Sequence, residues 1–255
     1  MTGLSPAGAS ITPRLAKTST PPSLSFQLDR SGAAGALIAH FQFPTTVQCP
    51  FMNPLPIILA SASPRRVELL RTLITDFQVI PSDASEVHDA ALGVRPLCEL
   101  NARLKASPVS QRHPGHLVLG ADTLVWLEGQ PLGKPADLAA ARAMLERLSG
   151  KSHEVVTGVC LMHGATGRCA VFSDVTRVVF RTLDSALIRR YLEAVPTLDK
   201  AGGYALQHHG DWLVQSVTGS ESNVIGLPVE ALGQAFGDWE VPLIPSCDGR
   251  AGSGH

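Results

Sequence analysis

The stretch Leu59-Ala-Ser-Ala-Ser-Pro-Arg-Arg-Val-Glu-Leu-Leu-Arg-Thr-Leu73 opens as a helix start, with Ser63 placed to cap it and Pro64 suited to its first position. Two cations, Arg65 and Arg66, then fill the first turn, where the helix dipole favours Asp or Glu. A strand that runs through a Ser-rich turn into a helix points backbone N–H groups outward, and that geometry binds phosphate even without cations. With Ser61, Ser63 and two guanidinium forks added, the segment reads as a cradle for a polyanion, the ligand relieving the repulsion between the arginines. It reads equally as two solvated arginines that merely tolerate the dipole.

A second chemical feature is Val118-Leu-Gly-Ala-Asp-Thr-Leu-Val-Trp126, where Asp122 interrupts an apolar strand pattern. A carboxylate buried there must be paired, hydrogen-bonded or metal-bound. The alternative is an Asp at a strand end, capping a turn with Thr123. Metal binding needs a second carboxylate to converge, and Glu86 in Pro81-Ser-Asp-Ala-Ser-Glu86 is the candidate. A magnesium ion held by one or two carboxylates plus substrate phosphates is the usual arrangement in nucleotide chemistry. Three lysines extend the constellation: Lys105 in Asn101-Ala-Arg-Leu-Lys-Ala106, Lys134 in Leu132-Gly-Lys-Pro135, and Lys200 in Leu198-Asp-Lys-Ala-Gly-Gly203. Each also reads as an ordinary solvated lysine, although Lys134 and Lys200 sit in Gly-containing loops where backbone and ligand can approach closely. His153 opens a strand and reads as structural or positioning rather than as a base. Adjacent His208 and His209 would point to opposite faces of a strand and suit no chelate.

The elements that must position these residues alternate along the chain. Strand patterns at 57–60, 77–80 and 117–127 are separated by helical ones at 64–73 and 96–107, the signature of an α/β fold. An amphipathic helix over 136–149 carries Leu138, Ala141, Leu145 and Leu148 on one stripe, with Gly150 placed to stop it. Two long β-type runs, His153–Met162 and Cys169–Leu183, are joined by His163-Gly-Ala-Thr-Gly167 and read as a hairpin. A helix at 184–194, a Gly-rich loop at 200–210, a strand near 212–217 and a helix around 226–236 follow.

At 255 residues the chain can bury a substantial core, and its net charge of -1 gives no general field for nucleic acid or a membrane surface. Any anion site is therefore local. Five cysteines without CxxC or Cys/His zinc spacing fit reduced thiols in a cytoplasm. Residues 1–51 are rich in Ser, Thr, Pro and Gly and carry no sustained apolar period, so they read as a disordered extension, with a translation start at Met52 or an organellar transit peptide as its two explanations. The body is expected at 52–245 and a flexible tail at 246–255.

The motifs in their order resemble the Maf family of nucleoside triphosphate pyrophosphatases. They are Leu59-Ala-Ser-Ala-Ser-Pro-Arg-Arg66, Ala121-Asp-Thr123, Gly133-Lys-Pro135, Leu148-Ser-Gly-Lys-Ser-His-Glu-Val-Val-Thr157, Asp199-Lys-Ala-Gly-Gly-Tyr204 with Gln207, and Asn223-Val-Ile-Gly-Leu-Pro228. The resemblance runs from about Leu59 to Leu232. It implies a two-lobed α/β fold like that of the inosine triphosphate pyrophosphatases, with a long twisted mixed sheet and a nucleotide cleft between the lobes. It also implies hydrolysis of a nucleoside triphosphate to the monophosphate and pyrophosphate with a divalent metal, magnesium or manganese. By position, Asp122 would activate water or hold the metal with Glu86 assisting. Ser61, Arg65, Arg66, Lys105, Lys134 and Lys200 would bind phosphate, and Gln207 would help read the base. The Asp199-to-Gln207 pattern looks like the dTTP/UTP branch, with His208 standing where a small residue commonly follows Gln. A 7-methyl-GTP-type pyrophosphatase and a nucleotide-binding regulator of septum formation with little turnover are the alternatives. The partners implied are a nucleoside triphosphate, with no nucleic acid and no membrane; a homodimer is left open.

Overall fold

The computed structural model describes residues 55–244. The extension expected at 1–51 and the tail expected at 246–255 lie outside the described residues, as do Cys49 and Cys247. The chain runs β1 (Ile57–Leu59), α1 (Pro64–Arg71), β2 (Gln78–Val79), α2 (Val94–Arg112), β3 (Leu117–Leu127), β4 (Gln130–Leu132), α3 (Leu138–Leu148), β5 (Ser152–His163) and β6 (Arg168–Phe180). It continues through α4 (Ser185–Ala194), α5 (Gly210–Leu213), β7 (Val214–Thr218), α6 (Glu221–Ile225) and α7 (Val229–Asp238). Among the described residues no helix is long and apolar enough to cross a membrane.

The strands form one seven-stranded mixed sheet in the order β2-β1-β3-β5-β6-β7, with β4 attached to β3. β1 is parallel to both β2 and β3, because each connection passes through a helix. Beyond β3 all pairing is antiparallel, and the β5–β6 hairpin forms as its turn residues dictate. The helix expected at 96–107 extends over Val94–Arg112 and contains Pro108. The strand expected from 212 begins at Val214, because Trp212 belongs to the four-residue α5. β4, α5 and α6 are too short to carry a readable period.

Two features of the sheet place the site. First, the apolar core is divided along β3. Leu119 and Ala121 pack with Leu70 of α1, Val159 and Phe236 of α7, whereas Val125 and Leu127 pack with Leu145, Phe180 and Tyr191. Asp122 and Thr123 sit where the strand passes from one cluster to the other. Second, α2 lies directly on the sheet. A Cβ at Gly120 would overlap the Ala102 carbonyl oxygen, and one at Gly158 would overlap the Cys98 carbonyl group. The absent side chains let the helix backbone touch the strands, with Ala102, Ala106 and Cys160 filling the seam. That close approach brings Asn101 and Lys105, one turn apart on α2, onto Asp122.

Candidate active site

A cavity of about 670 Å³ opens at the divide, and its lining includes Ser61, Arg65, Arg66, Glu86, Lys105, Asp122, Lys134, Lys200 and Gln207. Every residue singled out from the sequence as a site candidate therefore borders one space. Five cationic side chains line it against three acidic ones, the third acid being Asp199.

The carboxylate centre is built on β3. Asp122 is 3% exposed and lies mid-strand opposite Gly158, so it does not cap a turn. Its Oδ1 lies 2.6 Å from Lys105 Nζ, and its Oδ2 accepts from Asn101 Nδ2 at 3.2 Å. Glu86 Oε1 lies 2.7 Å from the same Lys105 ammonium. The two carboxylates thus converge on one point, held at present by the lysine. Asn101 also fixes the segment that carries Glu86, accepting from Val87 N at 2.8 Å and donating to Val87 O at 3.0 Å. Partial burial pushes the Glu86 carboxyl up, but Lys105, with Lys134 and His88 behind it, outweighs this and holds it below the usual carboxylate range. Cys98, beneath the same centre, is pushed up to about 12 by burial and by Asp122, an inert thiol that donates to Val156 O.

The two arginines of α1 part company. Arg65 reaches across the cavity to Asp199, with Nη1 2.8 Å from Oδ2. Arg66 turns inward. Its Nε donates to Gly226 O at 2.8 Å, Nη1 to Ala121 O at 2.9 Å and Ser61 Oγ at 3.3 Å, and Nη2 to Thr123 Oγ1 at 2.9 Å. Burial lowers its pKa, and Asp122 opposes that fall. The expectation that only a ligand relieves the arginine repulsion is therefore corrected. A carboxylate satisfies one guanidinium, and carbonyls and hydroxyls of three other segments satisfy the other. Ser63 occupies the N-cap position, yet its hydroxyl makes no cap bond; its N–H donates to Ser61 Oγ at 3.2 Å.

A chain of hydroxyls extends from Arg66 into the fold. Thr123 Oγ1 accepts from Arg66 and lies 3.0 Å from Thr157 Oγ1, which donates to Asn223 O at 3.1 Å. Asn223, fully buried, donates through Nδ2 to Val155 O and Thr176 Oγ1. The segment Asn223–Pro228 is thereby fastened to the sheet so that the Gly226 carbonyl meets Arg66.

On the opposite wall, Gly202 N donates to Gly133 O at 3.0 Å and joins the Lys134 loop to the Lys200 loop. Gly202 and Gly203 both have φ of +70°, which a side chain would resist. Lys200 is buried, with Nζ 2.6 Å from Asp199 Oδ1 and donating also to Pro196 O. Beyond it, Tyr191 Oη accepts from Ala205 N at 2.9 Å, and Tyr204 Oη shares a hydrogen bond of 2.8 Å with His153 Nε2. These buried tyrosines hold the turn that presents Gln207, itself exposed. His153 is buried against Tyr204 and Phe180 and does not line the cavity. His208 and His209 are exposed, and His209 stacks on Trp212 rather than pairing with its neighbour. Asn101 and Asp199 were not among the sequence candidates. Their signals were slight, a polar residue four positions before Lys105 and an acid directly before Lys200.

A mixed sheet whose divided core opens onto paired carboxylates ringed by cations defines a class of α/β proteins that handle charged ligands in a cleft. Residues 56–239 match the family described as Maf-like protein, and the chain belongs to that family. It is 48% identical over 175 residues to a dTTP/UTP pyrophosphatase of Akkermansia muciniphila, covering 68% of this chain and 91% of the relative. A dTTP/UTP pyrophosphatase of Desulforamulus reducens is 42% identical over 189 residues, 74% of this chain and 99% of the relative. One from Myxococcus xanthus is 47% identical over 173 residues, with coverage of 68% and 87%.

Proposed function

We propose that this chain hydrolyses dTTP and UTP to the monophosphate and pyrophosphate, in the cytoplasm, through residues of the 52–245 body. The observation that carries the reading is the placement of Asp122 and Glu86 at one end of a cavity whose excess charge is positive. The names of the relatives support the substrate class.

In this reading Asp122 orients a water molecule whose oxygen forms a bond to the α-phosphorus, and takes its proton at a carboxylate oxygen. The bond to the leaving pyrophosphate breaks, and Arg65, Lys134 and Lys200 meet the charge that gathers on it. Arg66 acts at shorter range, fixing Ser61, Ala121 and Thr123 around the phosphate end while its charge faces Asp122. Lys105 keeps the two carboxylates together in the free enzyme and adds a phosphate contact once they have another partner. Gln207 offers an amide donor and acceptor to the alternating carbonyl and N–H edge of uracil or thymine.

The residues present fit a divalent cation, magnesium or manganese. Asp122 and Glu86 approach one ammonium at 2.6 and 2.7 Å, so their oxygens converge closely enough to share a cation. Among the described residues no group of three His, Cys, Asp or Glu forms a cage, so phosphate oxygens would complete the ligand set. When bound, such a cation supplies Lewis-acid neutralisation of phosphate charge.

The test is pyrophosphate release from dTTP, UTP, GTP, ATP and 7-methyl-GTP, with magnesium, with manganese and with chelator. The expected result is strong preference for dTTP and UTP. A site that pairs with one base edge leaves its own groups unsatisfied by the others, which discriminates far more than a methyl group does. Comparable kcat/KM for the purine nucleotides would refute the substrate assignment.

A further inference from the structure

We infer that Asp199 is the resident anion of the phosphate site, a carboxylate that holds Arg65 and Lys200 in the free enzyme, yields them to the incoming polyphosphate and reclaims them as pyrophosphate departs. The inference rests on the proposed reading of Arg65 and Lys200 as phosphate ligands and adds to it a residue that governs release of the product.

Each oxygen of the Asp199 carboxylate holds a different cation: Oδ2 lies 2.8 Å from Arg65 Nη1, and Oδ1 lies 2.6 Å from Lys200 Nζ. The two cations come from opposite walls, Arg65 from α1 and Lys200 from the loop before the 3₁₀ turn Ala201–Gly203. Bridging both with a single group is the geometry a phosphate would adopt. Lys200 is only 6% exposed, so its ammonium needs an anion whether or not a ligand is present. Asp199 supplies one.

The carboxylate itself is held loosely enough to leave. Its side chain is 58% exposed, and Arg65 has no second acid in the bridge. Partial burial pushes the Asp199 carboxyl up, but Lys200 and Arg65 outweigh this and keep it below the usual carboxylate range, so it is an anion at neutral pH. The Arg65–Asp199 half of the bridge is open to solvent and therefore weak. A single carboxylate therefore competes poorly with a triphosphate tethered through its nucleoside, and more effectively with the freed pyrophosphate, which has lost that second attachment. After cleavage, the swing of Asp199 back onto the same cations replaces the contacts that pyrophosphate loses, and release does not leave a buried ammonium bare.

Removing the competitor should tighten product binding. The experiment titrates inorganic pyrophosphate calorimetrically into the full chain with magnesium, comparing the unaltered protein with Asp199→Asn and Asp199→Glu. Asp199→Asn is expected to bind pyrophosphate about five- to tenfold more tightly, the loss of weak pairing to two cations. Its kcat and KM for dTTP should fall together, as release becomes limiting. Asp199→Glu keeps the charge and should bind as weakly as the unaltered chain. Asp199→Ser serves the same comparison if the amide variant does not fold. Unchanged or weaker pyrophosphate binding by the neutral variants would overturn the inference, as would Asp199→Glu binding as tightly as they do. If the unaltered chain turns over dTTP and these comparisons fail, the role of Asp199 alone is lost. If it neither turns over dTTP or UTP nor binds pyrophosphate, the proposed function falls and this inference with it.

Discussion

At the scale of single residues, Asp122 and Arg66 divide two tasks, chemistry in the proposed function for the buried carboxylate and architecture for the part-buried guanidinium. Asp122 has one oxygen on Lys105 and one on Asn101, and both partners sit on α2. Replacing it with Asn keeps size and part of the hydrogen bonding but removes the carboxylate that the proposed function uses as base and hard ligand. Asp122→Asn is expected to abolish turnover while nucleotide affinity, read by titration, stays within a few-fold. Arg66 differs because its donors serve the protein itself. Arg66→Ala strips the Gly226 and Ala121 carbonyls of a charged donor, and each bond of that kind is worth about 1.5–3 kcal/mol. The variant should therefore unfold at clearly lower urea, with activity falling alongside. Arg65→Ala, whose pair is exposed, should leave the urea midpoint close to that of the unaltered chain. Equal midpoints for the two variants would show that the inward turn of Arg66 carries no weight.

At the scale of elements, the site depends on how near α2 can come to β3 and β5. Gly158→Ala would drive a methyl group into the Cys98 carbonyl, a backbone obstacle that no rotamer change removes. The expected cost is about 3 kcal/mol or more, the upper range for overpacking. Because α2 must lift, Lys105 and Asn101 leave Asp122 and activity falls further than stability alone explains. Gly167→Ala is the control: its Cβ meets nothing, and only the φ of +69° resists it, at about 1–2 kcal/mol. Chemical denaturation and dTTP turnover of both variants check this. The same contact explains what was legible in the sequence. β3 is found at its expected limits, and the β5–β6 hairpin was visible in its long apolar runs and Gly-containing turn. The site candidates were visible as charges in loops and as motifs. What the sequence did not reveal was pairing: that Lys105 would bridge Glu86 and Asp122, that Arg66 would face inward, and that Asp199 would close on Arg65. Such choices are made by the distance between elements, and that distance is set here by side chains that are missing. β4, α5 and α6 escaped notice for a related reason, being short pieces held by tertiary contacts rather than by a period of their own.

At the scale of the whole molecule, folding holds one histidine neutral well below its ordinary range. Burial drops His153 to about 4, from an ordinary value near 6.5, while its ring shares a bond with Tyr204 and packs edge-on against Phe180. The unfolded chain takes up this proton as pH falls through 6.5, whereas the folded chain refuses it until about 4. Stability should therefore be full above pH 6.5 and decline steadily toward 4, by an amount on the order of 3 kcal/mol. Urea midpoints at pH 7.5 and 5 measure the slope, and His153→Gln should flatten it. The carboxyls of Glu86, Asp199 and Glu230, which the fold holds below the usual carboxylate range, weaken it only as pH falls through that range and lower, so the two effects separate. The lining of the cleft has a further consequence at this scale. A chain with net charge -1 gathers five cations against three acids around one opening, so positive charge is concentrated at that opening. An approaching anion is drawn toward that opening. Capture should then be guided by long-range forces that dissolved ions screen within about 8 Å at physiological salt. As potassium chloride is raised, kcat/KM for dTTP should fall steeply while kcat changes little, and a parallel decline of both would assign the salt effect to chemistry rather than to encounter.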